Sequence, residues 1–190
     1  MAKPRTPRRA WIDQGLRALA SGGPDSVRVE VLAESLGVTK GGFYGYFADR
    51  PALLTEMLDT WELEVTDKII QRVEESDGDQ DARAKLRRLA AIVTEIDDDP
   101  TIGIAVELAV RDWARRDPEV AIRLRRIDDR HLAYLRPLYG ELCADPLEVE
   151  AHCMIAMSLR LGDHLMSFDH GRYPRSEVQA YIQNRLITPG

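Results

Sequence analysis

The spacing of the apolar residues constrains this chain more than any other feature. They recur at every third or fourth position along almost the whole sequence, as at Ile12, Leu16 and Leu19 near the start. This spacing matches the α-helical turn of about 3.6 residues, whereas a half-buried strand alternates at every second residue. Neither strand-like alternation nor an internal repeat is visible in the sequence. The pattern therefore predicts an all-α fold with about nine helices.

Length and composition limit the classes of protein that the chain can belong to. With 190 residues, of which 44% are hydrophobic and 31% charged, it can form a sizeable core in one or two domains and is too apolar for a disordered protein. Its apolar runs are shorter than the roughly 20 residues of a membrane span, and its basic start lacks the apolar core of a signal peptide. We therefore expect a cytoplasmic protein with no membrane partner.

No residue pattern points to catalysis or to a bound metal. Cys143 and Cys153 lie ten positions apart, and buried free thiols fit them better than a disulfide or a metal pair. The histidines are scattered, with neither metal-ligand spacing nor a Ser/His/Asp order, and no glycine motif is placed to cradle a phosphate. We therefore expect no metal, no cofactor and no enzymatic activity.

The charge is distributed unevenly along the chain. Residues 1–50 hold eight Lys or Arg against five Asp or Glu, a net charge of +3 within a chain whose formal net charge is −6. A basic end on an acidic body is typical of a protein that meets a polyanion such as nucleic acid at one end. A solvated basic tail explains the charge equally well, so charge alone leaves both interpretations open.

The first fifty residues predict three short helices, of which the second and third are joined by "SLGVTK". Two helices joined by a short turn that contains glycine form a helix-turn-helix. Gly37 stands where the backbone must adopt a positive φ, and the small Ala33 lets the third helix pass closely. Leu32 faces the core of this motif, and Thr39 is expected to cap the third helix.

The stretch "TKGGFYGYF", residues 39–47, is the third helix of this motif. Phe43 and Phe47 lie four positions apart and are expected to bury one face, whereas Gly41, Gly42 and Gly45 leave the opposite face bare. A bare face allows the backbone to approach the DNA major groove, which is about 12 Å wide. A glycine-rich aromatic loop that only packs against the core is the alternative interpretation.

Residues 27–54, "VRVEVLAESLGVTKGGFYGYFADRPALL", resemble the signature of the TetR-family transcriptional regulators. The matching residues are Leu32-Ala33, Gly37-Val38, Thr39-Lys40-Gly41, Tyr44, Phe47, Arg50 and Leu53-Leu54. With the first helix included, the resemblance covers about residues 8–54. Beyond them only the helical layout is similar.

This resemblance implies a homodimer that binds a palindromic double-stranded DNA operator and releases it when a small-molecule effector binds. It also implies a three-helix DNA-binding domain with a helix-turn-helix at residues 1–52 and a larger helical ligand-binding and dimerisation domain at residues 53–190. A repressor is the first interpretation. An activator with the same chemistry is an alternative, as is an interaction protein that has the fold but has lost sequence-specific DNA binding.

The expected DNA-binding residues follow from the resemblance and from the basic residues. Arg28, Gly42, Gly45 and Tyr46 depart from the residues that the family commonly has, so few side chains remain to read bases. Sequence preference is expected to depend on Lys40, Tyr44, Arg28 and the arm residues Arg5, Arg8 and Arg9, with a larger share of shape readout. The full set expected at the DNA is Arg8, Arg28, Thr39, Lys40, Gly41, Gly42, Tyr44, Gly45, Tyr46 and Arg50, the last in place of a phosphate-binding lysine.

The C-terminal part offers a candidate pocket and a candidate interface. Aromatic residues, a methionine and a polar group on different apolar stripes are the usual lining of a small-molecule pocket, with ordinary core as the alternative. These residues are Trp61, Trp113, His131, Tyr134 and Met157. Residues 147–168 are apolar nearly all round, which favours burial against a second subunit over burial within one chain. The expected interface residues are Met154, Arg160, Leu161, His164, Leu165, Phe168 and Tyr181.

Overall fold

The computed structural model describes residues 6–187, and within that range the chain forms nine α-helices, two 3-10 turns and no strand. The predicted all-α fold is therefore confirmed. The helices are α1 (Arg8–Gly22), α2 (Val29–Ser35), α3 (Arg50–Val65), α4 (Asp67–Glu74), α5 (Ala82–Asp97), α6 (Ile104–Ala114), α7 (Pro118–Gly140), α8 (Pro146–Leu165) and α9 (Arg175–Ile187). The 3-10 turns are Pro24–Ser26 and Lys40–Gly45. None of these helices has the length and apolar character that crossing a membrane would require.

The helices are grouped into two compact units, each assembled from two stretches of chain. The first unit runs to Asp67 and includes Ile96–Arg126, and the second comprises Lys68–Glu95 and the chain from Ile127 onward. This grouping follows backbone contacts. The division into a DNA-binding part and an effector-binding part is a functional division and stays a prediction.

The core of the first unit forms where α1 packs against α3 and α6. Trp11, Leu16 and Leu19 of α1 are fully buried, which follows from their helical spacing. Gly15 lies on the same face, and a Cβ built there would stand 2.5 Å from Sδ of Met57 on α3. The missing side chain thus allows α3 to approach α1 closely. The buried residues that α3 and α6 contribute include Leu53, Met57, Trp61, Val106 and Val110.

The chain between residues 50 and 74 contains a break that its apolar stripe does not show. Leu54 to Val73 follow one helical period, which predicts a single long helix, and that prediction is wrong because α3 ends at Val65 and α4 begins at Asp67. The buried Thr66 has φ −116° and ψ −82°, outside the helical region. Its hydroxyl donates to the carbonyl oxygen of Glu62. Threonine competes with the helix in this way, because its hydroxyl bonds a carbonyl one turn back and its branched Cβ restricts the side chain.

The second unit has its own apolar core, to which α5, α7, α8 and α9 contribute. Its buried residues are Ala82, Leu86, Leu135, Leu138, Tyr139, Cys153 and Ile187. Polar contacts tie α4 to α5, since Lys85 pairs with Glu74 at 2.5 Å and Arg72 with Glu95 at 2.8 Å. Both cysteines are free and buried, as predicted.

The turn before α6 is fixed by one carboxylate. Oδ1 of Asp99 accepts hydrogen bonds from the backbone N–H of Thr101 at 2.7 Å, from the Thr101 hydroxyl at 2.6 Å and from the N–H of Ile102 at 3.2 Å. Gly103 completes the turn, and a Cβ there would lie only 2.4–2.7 Å from the carbonyl oxygens of Asp97, Asp99 and Ile96. No side chain fits at this position, so the turn requires glycine.

Candidate nucleic-acid interface

The helix-turn-helix is built around the end of α2. Gly37 has φ +62°, as its place in the sequence predicts. Its N–H donates to the carbonyl of Glu34, and the N–H of Val38 donates to the carbonyl of Ala33, both at 2.9 Å. This pair of bonds is the Schellman motif, which ends a helix at a left-handed glycine. Ala33 is buried, so the turn passes close to the core and directs the following segment across it.

The segment that was predicted as the third helix of the motif, residues 39–47, does not form an α-helix. Lys40–Gly45 is a 3-10 turn, in which the N–H of Gly42 donates to the carbonyl of Thr39 at 2.9 Å. An α-type turn follows, where the N–H of Phe47 donates to the carbonyl of Phe43 at 3.1 Å. The low helix propensity of glycine and the cost of nucleating so short a helix explain the difference. The predicted cap is also wrong, since within residues 6–187 the Thr39 hydroxyl caps no backbone N–H.

The aromatic face of this segment is buried as predicted. Phe43 and Phe47 are 0% and 2% exposed. Their rings stack with centroids 5.2 Å apart, and Trp11 of α1 meets Phe43 edge-on at 5.5 Å. Burying each ring contributes roughly 1.5–3 kcal/mol. This burial supplies the stability that a glycine-rich backbone lacks.

The opposite side of the segment faces solvent. Tyr44 is 56% exposed, with its ring edge-on to Phe43, and Tyr46 is half-buried. The bare surface is not uniform, because a Cβ on Gly42 would contact the Trp11 ring at 3.9 Å, whereas one on Gly41 would meet only the Thr39 hydroxyl. The remaining exposed residues are Thr39, Lys40, Gly41, Gly42 and Gly45.

Two predicted DNA-binding cations are paired with acidic residues of the same unit. Lys40 donates to Glu30 of α2, and this hydrogen bond raises the pKa of Lys40 and lowers that of Glu30. Arg8 donates from Nε to Glu56 at 2.8 Å and lies over the Phe47 ring at 4.7 Å. All four charged groups are solvent-accessible, so a phosphate can compete for either cation.

The basic arm is only partly described. Arg9 pairs with Asp13 at 2.6 Å and with Glu64 at 3.2 Å. Arg5, the third arm residue predicted to contact DNA, lies outside the described residues. The expected role of the arm therefore stays a prediction.

Arg50 is held more firmly than the other predicted cations. It is half-buried, its Nε donates to the carbonyl of Val27 at 2.6 Å, and its Nη2 donates to the carbonyl of Pro24. Asp49, one residue earlier, caps α3 by accepting from the N–H of Ala52 at 2.8 Å. The guanidinium thus ties the start of α3 to the chain that leads into α2.

A groove between α1 and α2 adds a cation that the sequence patterns do not single out. The groove has a volume of about 530 Å³ and contains both Arg17 and Arg28, which are exposed. The sequence feature that could have identified Arg17 is its helical position, because it lies on the side of α1 away from the buried Ile12, Leu16 and Leu19. The groove is lined by Gln14, Arg17, Ala18, Ser21, Asp25, Ser26, Arg28 and Val31.

The predicted pocket residues are divided between the two units. Trp61 and Trp113 belong to the first unit, where Trp61 is 1% exposed and Nε1 of Trp113 donates to Asp117 at 3.2 Å. His131, Tyr134 and Met157 belong to the second unit. Met157 packs against its core, and the Tyr134 hydroxyl donates to Glu74 at 2.7 Å. Burial and this hydrogen bond raise the pKa of Tyr134.

The predicted interface residues lie on α8, on α9 and on the chain between them. Met154, Leu165, Phe168 and Tyr181 are 71%, 67%, 58% and 63% exposed. Arg160 and Leu161 are half-buried, and His164 is exposed. This part of the second unit therefore presents large apolar side chains to solvent.

The N-terminal region resembles a known family in sequence. Residues 12–57 match the family model of the bacterial regulatory proteins of the tetR family. This region is a TetR-family N-terminal domain. The resemblance carried by residues 27–54 is thereby confirmed. No curated protein matches the chain significantly.

Solved structures share the fold of nearly the whole chain, including the part beyond the TetR-family domain. AibR in complex with isovaleryl coenzyme A and operator DNA superposes with a TM-score of 0.72 at 13% identity, covering 96% of this chain and 98% of that chain. A TetR-family transcriptional regulator from Streptomyces coelicolor reaches 0.70 at 17% identity, covering 95% and 85%. The fatty acid degradation regulator FadR from Bacillus halodurans reaches 0.68 at 19% identity, covering 97% and 100%. These similarities establish the fold.

Proposed function

We propose that this protein is a sequence-specific DNA-binding transcriptional regulator, a homodimeric repressor that a small-molecule effector releases from a palindromic operator. The observation that carries the proposal is the exposed 40–45 turn, held over a buried aromatic face by the Schellman turn at Gly37. The TetR-family match over residues 12–57 supports it. Residues 1–52 are proposed to bind DNA, and residues 53–190 to bind the effector and to dimerise. A bacterial transcriptional regulator works in the cytoplasm, which is the location we propose.

The proposed DNA contacts combine phosphate binding with a small amount of base reading. Exposed Lys40 and Tyr44 flank the bare backbone of Gly41, where no Cβ keeps the chain away from the DNA. Arg28 and Arg17 add positive charge at the neighbouring groove. Phosphate contacts supply affinity and orientation, whereas base-edge contacts and DNA shape supply sequence preference. The other proposed contacts are Arg8, Thr39, Gly42, Gly45, Tyr46 and Arg50.

The homodimer proposal is supported by exposed apolar side chains at the end of the chain. Met154, Leu165, Phe168 and Tyr181 are each more than half exposed. A cluster of large apolar side chains on the surface is typical of an interface, whereas single exposed ones are normal. We propose that this surface, completed by Arg160, Leu161 and His164, pairs with its copy on a second subunit.

The effector proposal is supported by buried aromatic side chains and by a structure that shares the fold. Among residues 6–187 the buried indole N–H groups of Trp61 and Trp11 have no hydrogen-bond partner. Buried polar groups without partners are uncommon and call for an explanation. AibR, which shares the fold, was solved with isovaleryl coenzyme A as well as operator DNA. We propose Trp61 and Trp113 as effector contacts within the first unit, and His131, Tyr134 and Met157 as effector contacts within the second unit, each set taken by itself.

Selection on random double-stranded DNA at two salt concentrations tests the proposed function. We expect an enriched palindrome with half-sites about one helical turn, roughly 34–36 Å, apart, and binding that weakens steeply as salt rises. Arg28→Ala should weaken binding, whereas Arg116→Ala, an exposed arginine on the chain after α6 that pairs with Asp112, should leave it unchanged. Selection without any enriched sequence would contradict the proposal.

A promoter-reporter assay distinguishes a repressor from an activator. An activator would use the same DNA contacts, because the sign depends on where the operator lies relative to the promoter. Repression that an effector relieves is the expected result. Weak binding that depends on salt but not on sequence would favour the interaction protein instead.

A further inference from the structure

Three side chains with metal-binding atoms converge at the junction of α7 and α8. Cys143, Glu148 and His152 each place a possible ligand atom within 4.8 Å of the other two. Sγ of Cys143 lies 3.9 Å from Nδ1 of His152. Cys143 is buried, and the other two are partly buried. A thiol, a carboxylate and an imidazole at these separations form a different kind of cluster from the surface acids of the chain.

The backbone around this cluster fixes the positions of all three residues. The N–H of Cys143 donates to the carbonyl of Tyr139 in the last turn of α7 at 2.9 Å, which closes the turn over the helix end. Asp145 caps α8 by accepting from the N–H of Leu147 at 2.9 Å. Glu148 and His152 are four residues apart on α8 and therefore share one face of it. Few backbone torsions remain free to separate the three groups.

The side chains are also oriented. The His152 ring lies against Tyr139 with centroids 5.3 Å apart, and its Nδ1 is 2.9 Å from the carbonyl oxygen of Glu148. Within residues 6–187 the carboxylate of Glu148 makes no side-chain hydrogen bond, so its oxygens are available to a cation.

We propose that Cys143, Glu148 and His152 form a binding site for one divalent transition-metal ion of the zinc type. This inference is independent of the proposed regulatory function. Thiolate, imidazole and carboxylate together suit Zn²⁺, whereas Mg²⁺ and Ca²⁺ prefer oxygen ligands alone. Three protein ligands leave a fourth tetrahedral position for water or another small ligand.

The geometry requires a small contraction, and Nδ1 of His152 must give up its hydrogen bond to the carbonyl oxygen of Glu148, with the ring proton then carried by Nε2. Zn–S bonds of about 2.3 Å and Zn–N bonds of about 2.0–2.1 Å place sulfur and nitrogen about 3.5 Å apart in a tetrahedral site. The observed separation of Sγ and Nδ1 is 3.9 Å. On binding, the ion takes the thiolate of Cys143, and the thiol proton leaves to solvent, so no oxidant or reductant is needed.

Titration of the reduced full-length chain with Co²⁺ tests the site, because cobalt bound to thiolate has a charge-transfer absorption that zinc lacks. We expect one Co²⁺ per chain, a thiolate band, and loss of the band when Zn²⁺ displaces the cobalt. Cys143→Ala should abolish the band, and Glu148→Gln should weaken affinity at least about tenfold. Cys153→Ala is the matched control, since this buried thiol is adjacent to His152 but outside the cluster. The Cys153→Ala protein should keep the thiolate band.

Three outcomes would overturn the proposal. The first is the absence of a thiolate band in the wild-type chain at saturating Co²⁺. The second is a band that survives Cys143→Ala or disappears with Cys153→Ala, since the metal would then be elsewhere. The third is an affinity that Glu148→Gln leaves unchanged. Circular dichroism of every variant verifies the fold, and Glu148→Gln replaces a partly exposed side chain, so it remains informative even where Cys143→Ala is unstable.

Discussion

Arg50 occupies a position for which sequence and structure suggest different roles. The family resemblance implies a phosphate contact, yet the guanidinium donates to the carbonyls of Val27 and Pro24. Hydrogen bonds from a charged donor are among the stronger ones in proteins, and a carbonyl that loses its donor is costly when it is partly buried. The two roles are separable, because one affects folding and the other affects DNA binding.

Arg50→Ala is expected to lower the free energy of unfolding by about 1–3 kcal/mol, because two backbone carbonyls lose their donor. Urea denaturation followed by circular dichroism measures the change. Arg28→Ala is the control, since Arg28 is exposed and its loss should alter stability by less than about 0.5 kcal/mol. If Arg50→Ala instead kept full stability and weakened binding to all DNA sequences alike, the phosphate role would be the dominant one.

The residues of the site differ in how far the sequence specifies them. Gly37, Phe43 and Phe47 are predicted correctly because a positive φ requires glycine and because two aromatics four apart must share a buried face. The carbonyl partners of Arg50 are not predictable, since every residue has a carbonyl and no side-chain type marks the chosen one. In the proposed metal site, Glu148 is missed for a related reason, because its role as a ligand depends on where a turn places Cys143.

The turn before α6 shows how one carboxylate can position a whole element. Burial raises the pKa of Asp99, but hydrogen bonds from the Thr101 hydroxyl and from the backbone N–H groups of Thr101 and Ile102 outweigh it, so the net pKa lies below the ordinary value. The folded state therefore holds this proton less tightly than the unfolded state. Asp99 stabilises the fold above its ordinary pKa of about 3.9, and this contribution is lost as the pH falls through the lower, folded-state pKa.

Asp99→Ala is expected to cost about 1–3 kcal/mol of stability at pH 7, because three hydrogen bonds to a charged carboxylate are lost. The difference from the wild type should shrink as the pH falls below about 4, because the wild-type carboxylate is then protonated. Urea denaturation across this pH range measures both effects. Asp98→Ala is the control, since Asp98 is exposed and should show neither effect. A difference that stays constant with pH would contradict the role of the charge.

The elements follow from the sequence more reliably than their boundaries and types do. Apolar periodicity identifies the helical regions, because each must bury a continuous face. Periodicity does not report the break at Thr66, since the buried stripe continues in register from Val65 to Ile69 while the backbone leaves the helical region. It also misses the 3-10 turn at Lys40–Gly45, where three glycines lower the helix propensity of the segment.

At the scale of the whole molecule, α8 and α9 leave large apolar side chains exposed to solvent. Asp163 on α8 pairs with Arg175 on α9 at 2.8 Å, so the two helices are held together within one subunit. The apolar side chains Met154, Leu165 and Tyr181 nevertheless remain exposed. A palindromic operator needs two reading heads, and a dimer through this surface would supply them.

Leu165→Glu is expected to raise the dimer dissociation constant at least about 30-fold, which corresponds to the roughly 2 kcal/mol of an interface hot spot, because a charge would replace an apolar contact at the interface. Sedimentation velocity over a range of protein concentrations measures this constant. Ile122→Glu is the matched control, because Ile122 is 65% exposed, close to the 67% of Leu165, but lies on α7 in the first unit, and it should leave the dimer intact. DNA selection then links assembly to function, since a monomeric Leu165→Glu protein should enrich half-sites without palindromic symmetry. A wild-type chain that is monomeric at every concentration would contradict the dimer, and a Leu165→Glu protein that dimerises normally would place the interface elsewhere.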